Sequence, residues 1–138
     1  MTEIEDKKRL YQNISSDEWR NRLKEDVFTV TRNGGTEAPF SGEYNDFDKQ
    51  GSYVCVCCQT RLFVSTDKFN AACGWPSFSE EASVSKIKTL EDDRHNKIRT
   101  EIRCPVCDAH LGHLFNDGPA PTKKRYCVNS VALIFIEE

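Results

Sequence analysis

Apolar and polar positions alternate in two different rhythms along the chain. Over residues 3–12 scattered apolar residues sit among charges, and the pattern predicts a first helix. In "SSDEW", Ser15 precedes Glu18 by three residues, a capping-box start for a short helix running to about Leu23. "VFTVTR" (Val27 to Arg32) is β-branched and reads as a strand, with a helical segment as the alternative. "NGGTEAPFSGEY" carries the Gly and Pro signals of a loop. From Tyr53 onward short β-prone runs ("SYVCV", "RLFVS", "KIRTEIRC", "RYCVNSVALIFI") are separated by turns. The expected fold is mainly β: a small body of antiparallel strands preceded by short N-terminal helices, without repeats or low-complexity segments.

A length of 138 residues fits a single domain, residues 1–138, with residues 1–25 as its N-terminal helical segment. The 38% hydrophobic and 30% charged content is that of an ordinary globular chain. A net charge of −3 gives no basic footprint for nucleic acid. The longest apolar run, Val131–Ile136, is too short to span a bilayer, so no membrane partner is expected. The opening "MTEIEDKKRL" has three acids in its first six residues and no apolar stretch, unlike a signal peptide or a typical transit peptide. The expectation is a cytoplasmic protein, in a compartment where thiols stay reduced.

Seven cysteines are then too many, and odd in number, for a disulfide framework. Four of them form two Cys-x-x-Cys pairs, Cys55/Cys58 and Cys104/Cys107. Thiolates at that spacing reach one ion, and two such pairs complete a closed tetrahedral site, structural rather than catalytic. Zinc is the expected occupant, one per chain, with iron as the chemical alternative. Cys57 breaks the knuckle spacing and is read as a small core residue. Cys73 and Cys127 remain.

Cys127 follows Lys123, Lys124 and Arg125, cations that favour a thiolate. On a continuous strand it would share a face with Asn129, Val131, Leu133 and Phe135. Two readings stay open from the residues alone: a reactive thiol, or a core cysteine at a strand start. "CDAHLGHLFNDGP" holds His110 and His113, which a regular strand would point to opposite faces. Gly112 between them permits a bulge that aims both the same way, where imidazoles can serve an oxyanion or deliver a proton. Surface histidines without a task are the alternative. In "CGWPSF", Trp75 is either a loop anchor or an aromatic wall for a small apolar group.

Together "CGWPSF", "HLGHLFNDGP", "RYCVNS", the interleaved Cys-x-x-Cys pairs and the upstream "VTRNGGTEAPFSGEY" resemble the methionine-R-sulfoxide reductases, the B-type enzymes, in their zinc-binding form. The likeness runs from about Trp19 to Phe135. It implies two small antiparallel sheets with N-terminal helices and a structural zinc on Cys55, Cys58, Cys104 and Cys107. It also implies the roles of the remaining residues. Cys127 would be the nucleophile, Cys73 the recycling cysteine, and His110, His113 and Asn129 the lining of the sulfoxide site. Trp75, with Phe115 as neighbour, would meet the substrate methyl group. The implied chemistry is reduction of protein-bound or free methionine-R-sulfoxide through a sulfenic acid and a redox-active disulfide, with thioredoxin as reductant. Such an enzyme repairs proteins after oxidative stress, here as a monomer. Two other classes are a zinc-ribbon binding module and a thiol peroxidase. Tight DNA binding would favour the first, and faster reaction with peroxide than with methionine sulfoxide would favour the second.

Overall fold

The structure is a computed structural model that describes residues 3–82 and 86–138. Three short helices come first among the described residues: α1 (Glu3–Gln12), α2 (Ser16–Arg22) and α3 (Glu25–Thr31). Ser15 caps α2, its hydroxyl accepting from the Glu18 amide at 3.1 Å. The β-branched run at Val27 forms α3, the helical alternative, rather than a strand. Glu25 and Asp26 favour its positive end, Thr31 bonds back to the Val27 carbonyl at 2.7 Å, and Phe28 and Val30 are buried. Packing of one apolar face outweighs the weak β propensity of the residues.

Nine strands follow among the described residues: β1 (Gly51–Cys55), β2 (Arg61–Val64), β3 (Lys68–Phe69), β4 (Ser77–Phe78), β5 (Lys88–Asp92), β6 (Arg99–Arg103), β7 (His110–Phe115), β8 (Arg125–Val128) and β9 (Leu133–Glu137). They build two antiparallel sheets, one of order β2-β1-β9 and one of order β3-β4-β8-β7-β6-β5. Aromatic side chains join them. Phe63 of the smaller sheet stacks on Phe78 of the larger at 4.4 Å, and Tyr53 meets Phe78 edge-on at 5.0 Å. All three are fully buried, and such pairs add about 1 kcal/mol each beyond burial of their area.

The run "RYCVNSVALIFI" is not one strand. A 3₁₀ turn at Ser130–Ala132 separates β8 in the larger sheet from β9 in the smaller. Cys127 and Asn129 therefore do not head a continuous apolar face. Tyr126 and Val128 enter the core, and Cys127 between them faces the other way. Strand β5 has no apolar alternation, and its buried position is an aspartate, Asp92. No helix among the described residues is long and apolar enough to cross a membrane.

Candidate active site and metal centre

Each Cys-x-x-Cys pair closes the same turn. The Cys55 carbonyl accepts from Gln59 N–H at 2.8 Å and the Cys104 carbonyl from Asp108 N–H at 3.1 Å. Cys55 N–H donates to the Thr60 carbonyl, and Cys104 N–H to that of Ala109, at 2.8 and 2.9 Å. Gln59 and Asp108 both take the left-handed conformation that such a reversal needs (φ 60° and 67°). The two turns face each other, so the four sulfurs of Cys55, Cys58, Cys104 and Cys107 lie within 4.8 Å of one another, all buried. Cys55 and Cys107 approach to 3.6 Å, as do Cys58 and Cys104. A tetrahedral ion bound at about 2.3 Å requires sulfurs about 3.8 Å apart, so these residues fit a metal ion. Burial leaves no open position for a substrate. Arg32, next to α3, donates to the Cys107 carbonyl at 3.0 Å while its guanidinium lies over the Trp19 ring at 4.5 Å. From α1, Lys7 reaches the Cys58 carbonyl at 3.3 Å. The N-terminal helices thus cover the cluster. Cys57 is buried but is not one of the four.

On the larger sheet, strand register assembles a second constellation. Ser77 of β4 lies opposite Cys127 of β8, Cys127 opposite His113 of β7, and His113 opposite Glu101 of β6. Directly opposed residues of an antiparallel sheet share a face, so one row crosses four strands: Ser77, Cys127, His113, Glu101. A bulge at Leu111, where Ile102 opposes Gly112 and Arg103 opposes His110, brings His110 to the same face. The two imidazoles stand 5.7 Å apart, edge to face. Gly112 flanks that bulge and serves a second need as well. A Cβ there would collide with the Cys127 carbonyl oxygen, so its bare backbone is what lets β8 approach β7 at Cys127.

Cys73 reaches this row from the loop before β4, its sulfur 4.0 Å from that of Cys127 and 3.4 Å from the Ser77 hydroxyl. Beside the pair lies a cleft of about 90 Å³ walled by Trp75, His113, Phe115 and Cys127, with Thr36, Arg99 and Asn129 completing it. That is small beside the roughly 300 Å³ at which pockets for whole small molecules begin. It suits the end of one side chain. Trp75 is held by its indole N–H donating to the Glu37 carbonyl at 3.1 Å. Asn129 is buried as a clamp, accepting from Glu37 N–H at 2.9 Å and donating to the Leu111 carbonyl at 3.0 Å. Of the residues singled out in the sequence for this site, His110 alone is off the cleft wall among those on the sheet, adjacent to His113.

The electrostatics depart from the sequence argument. Burial pushes the Cys127 thiol up to about 12, the neighbouring Cys73 adds to the effect, and Arg125 opposes it without prevailing. Lys123 and Lys124 are exposed to solvent. Burial works against the thiolate of Cys73 too, but hydrogen bonding from Ser77, at the Trp75 backbone and from Cys127, with the charge of Arg125, holds that thiol below its ordinary value. Arg125 is itself fixed by a two-pronged contact with Asp117 (2.8 and 3.3 Å) and by stacking 4.2 Å over Phe115.

Two buried carboxylates support the histidines, and neither stands out in the sequence. Glu101 Oε2 lies 2.7 Å from His110 Nδ1, and Asp92 Oδ2 lies 2.8 Å from His113 Nε2. Arg94 and then His113 hold the Asp92 carboxyl well below the usual carboxylate range. Glu101 is also depressed: burial opposes this, but Arg103 and His110 outweigh it. Burial lowers the pKa of His110 against the pull of Glu101. The signal for these acids is register, which places Glu101 opposite His113 and cannot be read before the strands are paired.

Comparison with known proteins matches residues 23–137 to the SelR domain. The chain is 53% identical over 121 residues to a peptide methionine sulfoxide reductase MsrB of Hahella chejuensis, covering 88% of this chain and 87% of that protein. A protein of the same name from Herminiimonas arsenicoxydans is 52% identical over 118 residues, 86% of each chain. A third, from a Synechococcus species, is 49% identical over 121 residues, 88% of this chain and 89% of its own length.

Proposed function

The chain belongs to the SelR-domain family of B-type methionine sulfoxide reductases and reduces methionine-R-sulfoxide to methionine, and we propose that Cys127 is the nucleophile and Cys73 the thiol that recycles it. The observation that carries this assignment is a pair of thiols 4.0 Å apart at the edge of a cleft walled by an indole, a phenyl ring and an imidazole.

In this reading the methylsulfinyl end of the substrate enters the cleft with its methyl group against Trp75 and Phe115. Burial of one methyl group contributes about 0.8 kcal/mol. Its oxygen lies toward His113. The sulfoxide sulfur becomes electrophilic as its oxygen gains a proton, and the Cys127 sulfur attacks it. Oxygen leaves with Cys127 as a sulfenic acid, and methionine departs as the thioether: the methionine sulfur gains two electrons and the Cys127 sulfur loses two. Cys73 then attacks the sulfenic sulfur, expelling water and forming a Cys73–Cys127 disulfide. A dithiol reductant restores both thiols by exchange, and thioredoxin is the reductant we propose. Asn129 keeps the wall in place through its two hydrogen bonds. His110, off the wall, acts beside His113 rather than on the substrate methyl.

Zinc is the ion we assign to Cys55, Cys58, Cys104 and Cys107, because four buried thiolates without an open position are its structural ligand set. When bound it cross-links the two knuckles and takes no part in the reduction. The substrate is oxidised protein or the free amino acid sulfoxide, and the whole chain acts as one reductase domain.

A reduction assay on the separated epimers tests the reading. The R epimer should be consumed and the S epimer left, because the methyl lies against Trp75 and Phe115 and the oxygen toward His113, which leaves one face of the sulfur to Cys127. Equal use of both epimers, or reaction with hydrogen peroxide but with neither sulfoxide, would overturn it.

A further inference from the structure

The Cys127 thiol must lose a proton in the first step, and the sulfoxide oxygen must gain one. His113 stands directly opposite Cys127 on the sheet and lines the same cleft. Its Nε2 is taken, 2.8 Å from the buried Asp92 carboxylate. An ionised carboxylate only accepts, so Nε2 carries the hydrogen, and Nδ1 is the nitrogen left with a lone pair. The geometry points to Asp92 as a positioning residue for the reaction: it fixes His113 as the Nε2–H tautomer, so that Nδ1 takes the Cys127 proton and passes it to the sulfoxide oxygen. This rests on the reductase reading above. The shuttle leaves the balance unchanged, since the proton lost by the thiol is the one found on the sulfenic hydroxyl. While His113 is an imidazolium, the Asp92 charge stabilises it.

Asp92 is also built as a fixed device. Its Oδ1 accepts from Arg94 Nε at 2.9 Å and from Arg94 N–H at 3.0 Å, and its Oδ2 accepts from Arg94 Nη2 at 3.1 Å. Arg94 alone thus engages both oxygens, so the contact with His113 exceeds what burial of the charge requires. The neighbouring pair is wired in the opposite sense. Glu101 occupies Nδ1 of His110, and the buried Nε2 of that ring has no protein partner.

The arrangement defines what Asp92→Asn does. Arg94 aims two fixed donors at Oδ1 and one at Oδ2, and the other group at Oδ2, His113 Nε2, can change its tautomer, so the amide oxygen belongs at Oδ1 and the NH₂ group falls at the Oδ2 position, facing His113 Nε2. A donor at that place demands an acceptor ring nitrogen, which drives the hydrogen to Nδ1 and blocks proton uptake from Cys127. The same inversion of tautomer accounts for the loss of rate when the triad aspartate of a serine protease is replaced by asparagine. Histidine-labelled ¹⁵N NMR of the reduced protein should show His113 as Nε2–H in the wild type and as Nδ1–H in Asp92→Asn. Single-turnover methionine formation at saturating R-sulfoxide should fall about 10²-fold or more in the variant, with little change in the substrate concentration giving half the maximal rate. A wild-type Nδ1–H tautomer overturns the inference even if the variant does not fold. So does a variant with the inverted tautomer and a wild-type rate. If the wild type itself fails to reduce the R epimer, the reductase reading fails instead, a result distinct from either.

Discussion

Cys73 and Cys127 are the same residue type 4.0 Å apart, yet their surroundings drive them in opposite directions. The pKa of Cys127 is raised by burial to about 12, while that of Cys73 is lowered by the groups around it. In the reduced, substrate-free protein the thiolate is therefore favoured on Cys73 over Cys127, whose burial holds it as a thiol. Limiting iodoacetamide at neutral pH should label Cys73 before Cys127, since the thiolate is the reacting form. Peptide mapping with Cys127 labelled first would contradict this ordering. The run of Lys123, Lys124 and Arg125 does not reveal this in the sequence, because adjacency in the chain is not proximity to the sulfur. Tyr126 and Val128 turn inward, Cys127 is drawn into a partly buried row, and two of the three cations remain in solvent. The residue types of the site are legible in the motifs; the charge state is not, because it follows from burial.

At the scale of elements, β7 and β8 do most to set the geometry. The bulge at Leu111 turns both histidines to one face, and Gly112 lets the Cys127 backbone come close. Sequence spacing makes the bulge readable, but the glycine's task depends on its neighbour across the ladder. Gly112→Ala should force β8 away from β7. An overpacking cost of about 1–3 kcal/mol is expected, with a larger loss of activity than of secondary structure. Wild-type melting temperature together with wild-type turnover would show that the close approach does not matter. Strand β5 illustrates the opposite limit. Its exposed, polar pattern has no alternation to read, and only pairing with β6 reveals Asp92 as a buried partner of His113. The capping box of α2 is readable because it is local. The helical state of α3 stays an alternative in the sequence because tertiary packing decides it.

For the whole molecule, the four-cysteine cluster and the row Ser77, Cys127, His113, Glu101 are separate devices. The cluster pins β1, the turn before β7 and the N-terminal helices to one another, while the row lies on the larger sheet. Two interleaved Cys-x-x-Cys pairs make the cluster legible from spacing alone, since each closes a local turn. The meeting of Cys73 with Cys127, 54 residues apart, is legible only through family resemblance. Elemental analysis should find close to one zinc per chain. Cys104→Ser should lower the melting temperature by about 10 °C or more, because metal binding here is folding free energy. A folded, active preparation without any metal would refute that part of the account.

The most direct test of the central claim, that Cys127 attacks the sulfoxide and Cys73 resolves the product, is peptide mapping by mass spectrometry after one turnover. Reduced protein mixed with one equivalent of methionine-R-sulfoxide should release one equivalent of methionine and hold a Cys73–Cys127 disulfide. The 4.0 Å gap between sulfurs closes to about 2.05 Å in that bond. Run in parallel, Cys73→Ser should still release one equivalent but not turn over with thioredoxin, and Cys127→Ser should release none. A disulfide through any other cysteine, or methionine formed by Cys127→Ser, would contradict the account.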